Sequence, residues 1–164
     1  LYKAEAGGDY SYRGLDPESY TDVFDQEVGD DNLDPLIDFL RFINESDDVT
    51  FAAQLGEYLD VDSFARYLAF QSLVDNFDDI DGPGTARPGG VAGSNILTER
   101  FIATPEFQAL VDAATLELTD TLFTSGTAQS ILVEWVSVLG TQDVVDAATV
   151  ASDAAAVAKY FGAK

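Results

Sequence analysis

The sequence predicts a mainly α-helical fold, with strand confined to residues 1–14. From Leu33 onward, apolar residues recur at the three- and four-residue spacing of a helix face. Aspartate, asparagine or proline precedes most of these stripes, where helix N-caps belong. With 46% hydrophobic and 12% aromatic residues, a chain of 164 residues can bury a substantial core. We therefore expect a single domain spanning residues 1–164.

The first 29 residues are rich in glycine, tyrosine and turn signals. They predict a short extended segment, then a loop, then a helical turn from Pro17. Asp34 as N-cap with Pro35 at the first helical position then predicts a helix. Its expected buried stripe consists of Leu36, Ile37, Leu40 and Ile43.

The middle of the chain predicts two further helices. Asp47 or Asp48 is expected to cap the first, and Asp60 or Asp62 the second, which ends near Asp75. The apolar face of the first carries Phe51, Leu55 and Leu59. The apolar face of the second carries Phe64, Tyr67 and Leu68. After a Gly/Pro-rich loop over 82–93, helices are expected at 95–103, 105–123, 127–139 with Gly140 as the C′ residue, and about 142–161.

The charge of the chain excludes some classes of function. Thirty acidic residues against eight basic ones give a net charge of −22. Such a surface repels nucleic-acid phosphates, and there is neither a basic stripe for nucleic acid nor a polybasic patch for anionic lipid. No apolar run approaches the roughly 18 residues of a membrane span. We interpret the acidity as solubility in a salty or extracellular setting, with a surface for cations or a basic partner as the alternative.

Cysteine and histidine are both absent from the sequence. Their absence excludes disulfides, thiolate and zinc-type metal sites, cysteine nucleophiles and Ser-His-Asp chemistry. Hard ions with oxygen ligands, such as Mg²⁺ or Ca²⁺, remain compatible with the composition.

Acidic residues crowd the predicted helix end between Asp75 and Asp81, with Asn76 among them. Carboxylates gathered at a helix end suit metal or phosphoryl chemistry. The alternative for Asp75, Asp79 and Asp81 is that they cap turn amides and face water. An EF-hand register fails because Phe77 and Pro88 would occupy ligand positions, although a looser cation site stays open.

The run from Leu59 to Gln71 resembles the helix before the catalytic loop of the CotH family, the spore coat protein H-type atypical protein kinases. Asn76-Phe77-Asp78 is similar to the Asn-x-Asp signature that ends this helix in the family. Segments upstream and downstream also resemble the family in the same order along the chain, at residues 1–4, 9–14, 36–44, 95–101 and 104–107.

This resemblance implies the helical C-lobe of an atypical protein-kinase fold. It also implies ATP-dependent, Mg²⁺-dependent phosphorylation of Ser or Thr on a coat or secreted protein, in the extracellular space, at the cell surface or in the spore coat. Asp78 would be the catalytic residue, which orients or deprotonates the acceptor hydroxyl or holds Mg²⁺, and Asp81 a further metal ligand. Asn76 and Lys3 would bind the cofactor, with an exposed surface lysine as the alternative for Lys3. The oligomeric state is left open.

Two departures from the family pattern support a second hypothesis, in which the chain is not a catalytically active kinase. The N-lobe has no counterpart before Leu1, and the Trp-Asp-x-Asp/Asn metal motif has none between Gly84 and Gly93. Trp135 does not replace it, because Val136 follows. We expect the chain to be incomplete and inactive by itself. The alternative is a non-catalytic acidic helical module for binding or structure, in which the aspartates hold a cation or cap helices.

Overall fold

The computed structural model describes residues 1–4, 9–76, 80, 95–141 and 145–163. These residues form seven α-helices and a two-stranded sheet, so the prediction of a mainly α-helical fold is confirmed. The chain divides into two compact units, Leu1–Val111 and Asp112–Lys164. The expectation of a single domain stays a prediction. The predicted loop over 82–93 lies outside the described residues.

The sheet of the first unit pairs β1 (Tyr2–Ala4) with β2 (Phe24–Gln26) in antiparallel register, with Lys3 opposite Asp25. The predicted extended segment is β1, but the confinement of strand to residues 1–14 is wrong. A three-residue strand is too short to show a period-two pattern, and β2 forms because β1 pairs with it. Phe24 anchors it in the core.

The predicted helical turn is a 3₁₀ helix at Pro17–Tyr20, which Asp16 caps by accepting the Glu18 N–H at 3.1 Å. The fully buried Tyr20 accepts a hydrogen bond from the Arg13 N–H at 2.7 Å and donates one to the Gly14 carbonyl at 2.8 Å. Gly14 has φ +95°, a conformation that side chains disfavour. The buried Tyr20 side chain thereby fixes the Arg13–Gly14 loop to the core of the first unit.

The next helices are α1 (Asp34–Glu45), α2 (Asp48–Gln54) with a 3₁₀ turn at Leu55–Glu57, and α3 (Val61–Leu73). Asp47 caps α2 by accepting the Thr50 N–H at 2.7 Å, and Asp60 caps α3 by accepting the Ser63 N–H at 2.9 Å. The predicted Asp34 cap is wrong. Asp34 is the first helical residue, and its N–H donates to the Asn32 carboxamide oxygen at 2.9 Å.

The core of the first unit gathers the predicted stripes of α1, α2 and α3 with α4 (Ile96–Ala103) and the start of α5 (Pro105–Leu118). Aromatic rings dominate its centre. Phe101 stacks on Phe107 with 4.8 Å between ring centroids and meets Phe64 edge to face at 4.9 Å. Rings in these geometries stabilise a core beyond their buried area.

In the second unit, a π-helical segment at Thr119–Thr124 leads into α6 (Thr127–Gly140), which packs on α7 (Ala147–Phe161). Asp146 caps α7 by accepting the Thr149 N–H at 2.9 Å. The predicted C′ role of Gly140 is wrong, because it is the last helical residue and Thr141 follows as the C-cap. Gly140 therefore needs no left-handed backbone.

Candidate functional site

The carboxyl end of α3 is closed by two backbone hydrogen bonds. The Asn76 N–H donates to the Gln71 carbonyl at 3.1 Å, and the Asp75 N–H donates to the Ser72 carbonyl at 3.4 Å. This is the Schellman arrangement, which places the residue after the C-cap in a left-handed conformation. Here that residue is Asp75 with φ +48°, the one non-glycine residue with positive φ among those described. The chain turns sharply just before the predicted catalytic aspartate.

Asn76 is held twice by the last turn of α3. Besides its backbone bond to Gln71, its side-chain Nδ2 donates to the Gln71 Oε1 at 2.8 Å. Asn76 is half-buried. The Asn76 side chain is thus fixed to a helix, and its role in cofactor binding stays a prediction.

Ile80 is anchored by side chains of two helices. The Tyr67 hydroxyl in α3 accepts a hydrogen bond from the Ile80 N–H at 3.1 Å, and the Asn95 Nδ2 donates to the Ile80 carbonyl at 3.4 Å. Asn95 also caps α4, because its Oδ1 accepts the Leu97 N–H at 2.9 Å. Ile80, two residues after Asp78, is therefore tied through its N–H to the side of α3 and through its carbonyl to the N-cap of α4.

Half-buried aromatic rings support this anchor. Tyr67 stacks with Phe64 with 6.1 Å between ring centroids. Tyr10 lies close enough that burial first, and the neighbouring Tyr67 second, raise the pKa of the Tyr10 phenol. The Tyr10 carbonyl accepts a hydrogen bond from the Asn44 side chain of α1 at 2.8 Å. The segment around Tyr10 thus lies close to α1 and to Tyr67 of α3, although these residues are distant in sequence.

Lys3 lies on the sheet of the first unit and forms an ion pair with Glu27, with 3.8 Å between Nζ and Oε1. Its side chain is 58% exposed, so this pair contributes little to stability. The exposure agrees with the surface-lysine alternative. A contact of Lys3 with a phosphate stays a prediction.

Asp78 and Asp81 lie outside the described residues, as do residues 77, 79 and 82–94. Within the described part of the chain, no group of three or more acidic residues is placed to hold a metal ion. The catalytic and metal roles of Asp78 and Asp81 stay predictions that rest on the sequence.

Sequence reasoning placed Tyr67 only in an apolar stripe and did not single out Asn95 as an anchor. A usable signal was present for each: a tyrosine in a core stripe carries a hydroxyl that seeks a partner, and an asparagine before an apolar run is a candidate N-cap. That both contact Ile80 is a tertiary contact that neither signal contains.

The comparisons agree with the resemblance found in the sequence. The family model for the CotH kinase protein matches residues 1–84, about half of the chain, and this range contains Lys3, Asn76, Asp78 and Asp81. No curated protein and no solved structure matches the chain. Among the helices of the described residues, none is both long and apolar enough to cross a membrane. Through its first 84 residues, the chain belongs to the CotH kinase protein family.

Proposed function

We propose that this chain carries the catalytic-loop region of a CotH-type protein kinase, which transfers the γ-phosphoryl group of ATP to Ser or Thr of a coat or secreted protein. The observation that supports the proposal most strongly is the family match over 1–84, since it spans all four candidate site residues. The anchored peptide at Ile80 adds physical support. Phosphoryl transfer depends on rigid positioning more than on covalent chemistry.

In this proposal the Asp78 carboxylate accepts a hydrogen bond from the substrate hydroxyl, orients its oxygen toward the phosphorus and takes up its proton. Asn76 and Lys3 contact the nucleotide. Asn76 suits this task because Gln71 already holds its side chain, so little conformational freedom is lost on binding.

The donors available in the sequence fit Mg²⁺. Oxygen ligands predominate in the 75–81 segment, and the chain has neither histidine nor cysteine to favour a softer metal. Asp81 would hold the ion, and Asp78 would be a second ligand in the alternative in which it holds Mg²⁺ instead of taking up the substrate proton. When bound, Mg²⁺ neutralises charge on the phosphates of ATP.

The proposal is tested with γ-labelled ATP and Mg²⁺, by following label in the protein and in added Ser/Thr-rich acceptor proteins. We expect Mg²⁺-dependent transfer by a longer protein in which an N-lobe and the Trp-Asp metal motif have been restored to the chain. The 164-residue chain alone should give no measurable label.

Two results would change this view. A longer protein with both parts restored that neither binds Mg²⁺ and ATP nor transfers label would favour the non-catalytic helical module. Robust labelling by the chain alone would show that a further carboxylate, such as Asp79, completes the site without the Trp-Asp motif.

A further inference from the structure

A groove of about 680 Å³ lies in the first unit, between α2 and the junction of α4 with α5. Its volume is in the range of roughly 300–1,000 Å³ that is usual for ligand pockets. The buried side chains of Thr104 and Phe107 line it together with exposed alanines. Those alanines are Ala53 of α2 and Ala103 of α4.

The face of α2 toward this groove is apolar although water covers it. Val49, Ala52 and Ala53 lie three and four residues apart, so they share one helix face. Phe51 is the residue of α2 that enters the core. Val49 is 81% exposed, at a position where a helix of a globular protein normally carries a polar residue. A concave apolar surface of this kind indicates a binding site.

The charged residues of the groove favour a basic ligand. Asp48 and Glu106 line it with exposed carboxylates, whereas Arg100 is its single basic residue. The Arg100 guanidinium already donates to the Ile43 carbonyl at 2.8 Å, to the Ser46 carbonyl at 2.9 Å and to Asp48 at 3.2 Å. Because these bonds engage Arg100 inside the protein, it does not offer a site for an anion.

We propose that the groove binds an amphipathic basic helix of a partner protein. Large apolar side chains one turn apart would fill the space that the alanines leave. Lys or Arg residues beside them would face Glu106, since Asp48 is already paired with Arg100. A second copy of this chain is a poor occupant, because each copy carries 30 acidic and eight basic residues and the two repel each other. This interaction does not depend on phosphoryl transfer.

The test uses the purified chain and a fluorescent leucine/lysine peptide of about four helical turns, whose binding is followed by anisotropy. Ala53→Trp and Ala103→Trp fill the groove from exposed positions and should weaken binding roughly tenfold or more. Ala109→Trp, on an exposed position of α5 that does not line the groove, is the matched control and should change the dissociation constant less than about twofold. Glu106→Gln should weaken binding and reduce its dependence on salt. Circular dichroism confirms that each variant is folded.

Three outcomes would overturn the proposal. The first is equal loss of binding in Ala53→Trp and Ala109→Trp. The second is equal binding of an all-lysine peptide, which would show only non-specific attraction to an acidic protein. The third is sedimentation that reveals a dimer which Ala53→Trp dissociates, since the occupant would then be a second copy. None of these results depends on kinase activity.

Discussion

The hydroxyl of Tyr67 accepts a hydrogen bond from the backbone N–H of Ile80 at 3.1 Å, across 13 positions of sequence. Asn95, the N-cap of α4, donates to the carbonyl of the same residue. The two hydrogen bonds therefore hold the peptide groups on both sides of the Ile80 Cα. Ile80 follows Asp78 by two residues, so the contacts link helix packing to the proposed catalytic position.

We expect Tyr67→Phe to loosen this anchor while leaving the aromatic packing on Phe64 in place. Loss of one such hydrogen bond costs about 1 kcal/mol and should raise amide hydrogen exchange at Ile80 by roughly fivefold. In a longer protein with the N-lobe and the metal motif restored, kcat should fall with little change in KM, because binding is retained while positioning is lost.

The control for that experiment is Tyr58→Phe, which removes the hydroxyl of a more exposed ring that stacks on Phe42 at 4.4 Å. It should alter neither exchange at Ile80 nor kcat. Unchanged exchange in Tyr67→Phe would contradict the anchor. Increased exchange with an unchanged kcat would contradict only its role in positioning.

Asp78→Asn in a longer protein with the N-lobe and the metal motif restored should lower phosphoryl transfer by several orders of magnitude with a nearly unchanged melting temperature. An ionised group that serves the transition state contributes more to kcat than to folding. Asp75→Asn is the matched control, since asparagine tolerates the left-handed conformation seen at φ +48° and should preserve both properties. Measuring thermal midpoint and initial rate on the same preparations separates the roles. A destabilised Asp78→Asn variant with normal specific activity would identify a helix-end cap.

Arg100→Lys should destabilise the first unit by about 2–4 kcal/mol. The Arg100 side chain is 14% exposed, and its guanidinium lies over the Phe51 ring at 4.2 Å. Its two terminal nitrogens donate to the Ile43 and Ser46 carbonyls and so join α4 to the end of α1. The single ammonium of lysine cannot reproduce this pair of hydrogen bonds together with the ring contact. Urea denaturation measures the loss. Asp48→Asn should have a much smaller effect, because the Asp48 side chain is fully exposed and its ion pair is screened by water. Similar losses in both variants would show that the ion pair dominates.

Asp60 makes the stability of α3 dependent on pH. Hydrogen bonds from the Ser63 N–H and hydroxyl hold the pKa of Asp60 below its ordinary value. The folded chain therefore binds fewer protons at this site than the unfolded chain, and the contribution is present above the ordinary aspartate pKa of about 3.9 and lost as pH falls through the lower folded value.

Asn caps a helix about as well as Asp, so Asp60→Asn should keep the melting temperature near neutral pH. Below about pH 4 it should lose less stability than the wild-type chain. Asp62→Asn, which changes a neighbouring first-turn acid rather than the cap, controls for the relief of charge repulsion on acidification. If the melting temperatures of wild type and Asp60→Asn fall equally with pH down to pH 2, the pH dependence does not come from Asp60.

The sequence by itself determined the helical class of this protein, because helix periodicity and capping are local properties. Asp47, Asp60 and Asn95 lie beside the backbone groups that they cap, and each accepts the N–H two or three residues ahead. The buried stripe of α1 was likewise readable from its spacing. The family signature at Asn76-Phe77-Asp78 is also a local pattern, which is why it marks the candidate site without any structure.

Only the tertiary structure decided which distant segments meet. Strand β2 exists because β1 pairs with it, and three residues carry no periodic signal of their own. Tyr67, Ile80 and Asn95 converge only after α3 and α4 have packed, as do the residues of the α2 groove. Such contacts depend on how helices pack against one another, and a pattern along one helix specifies which face is buried but not the partner that the face will meet.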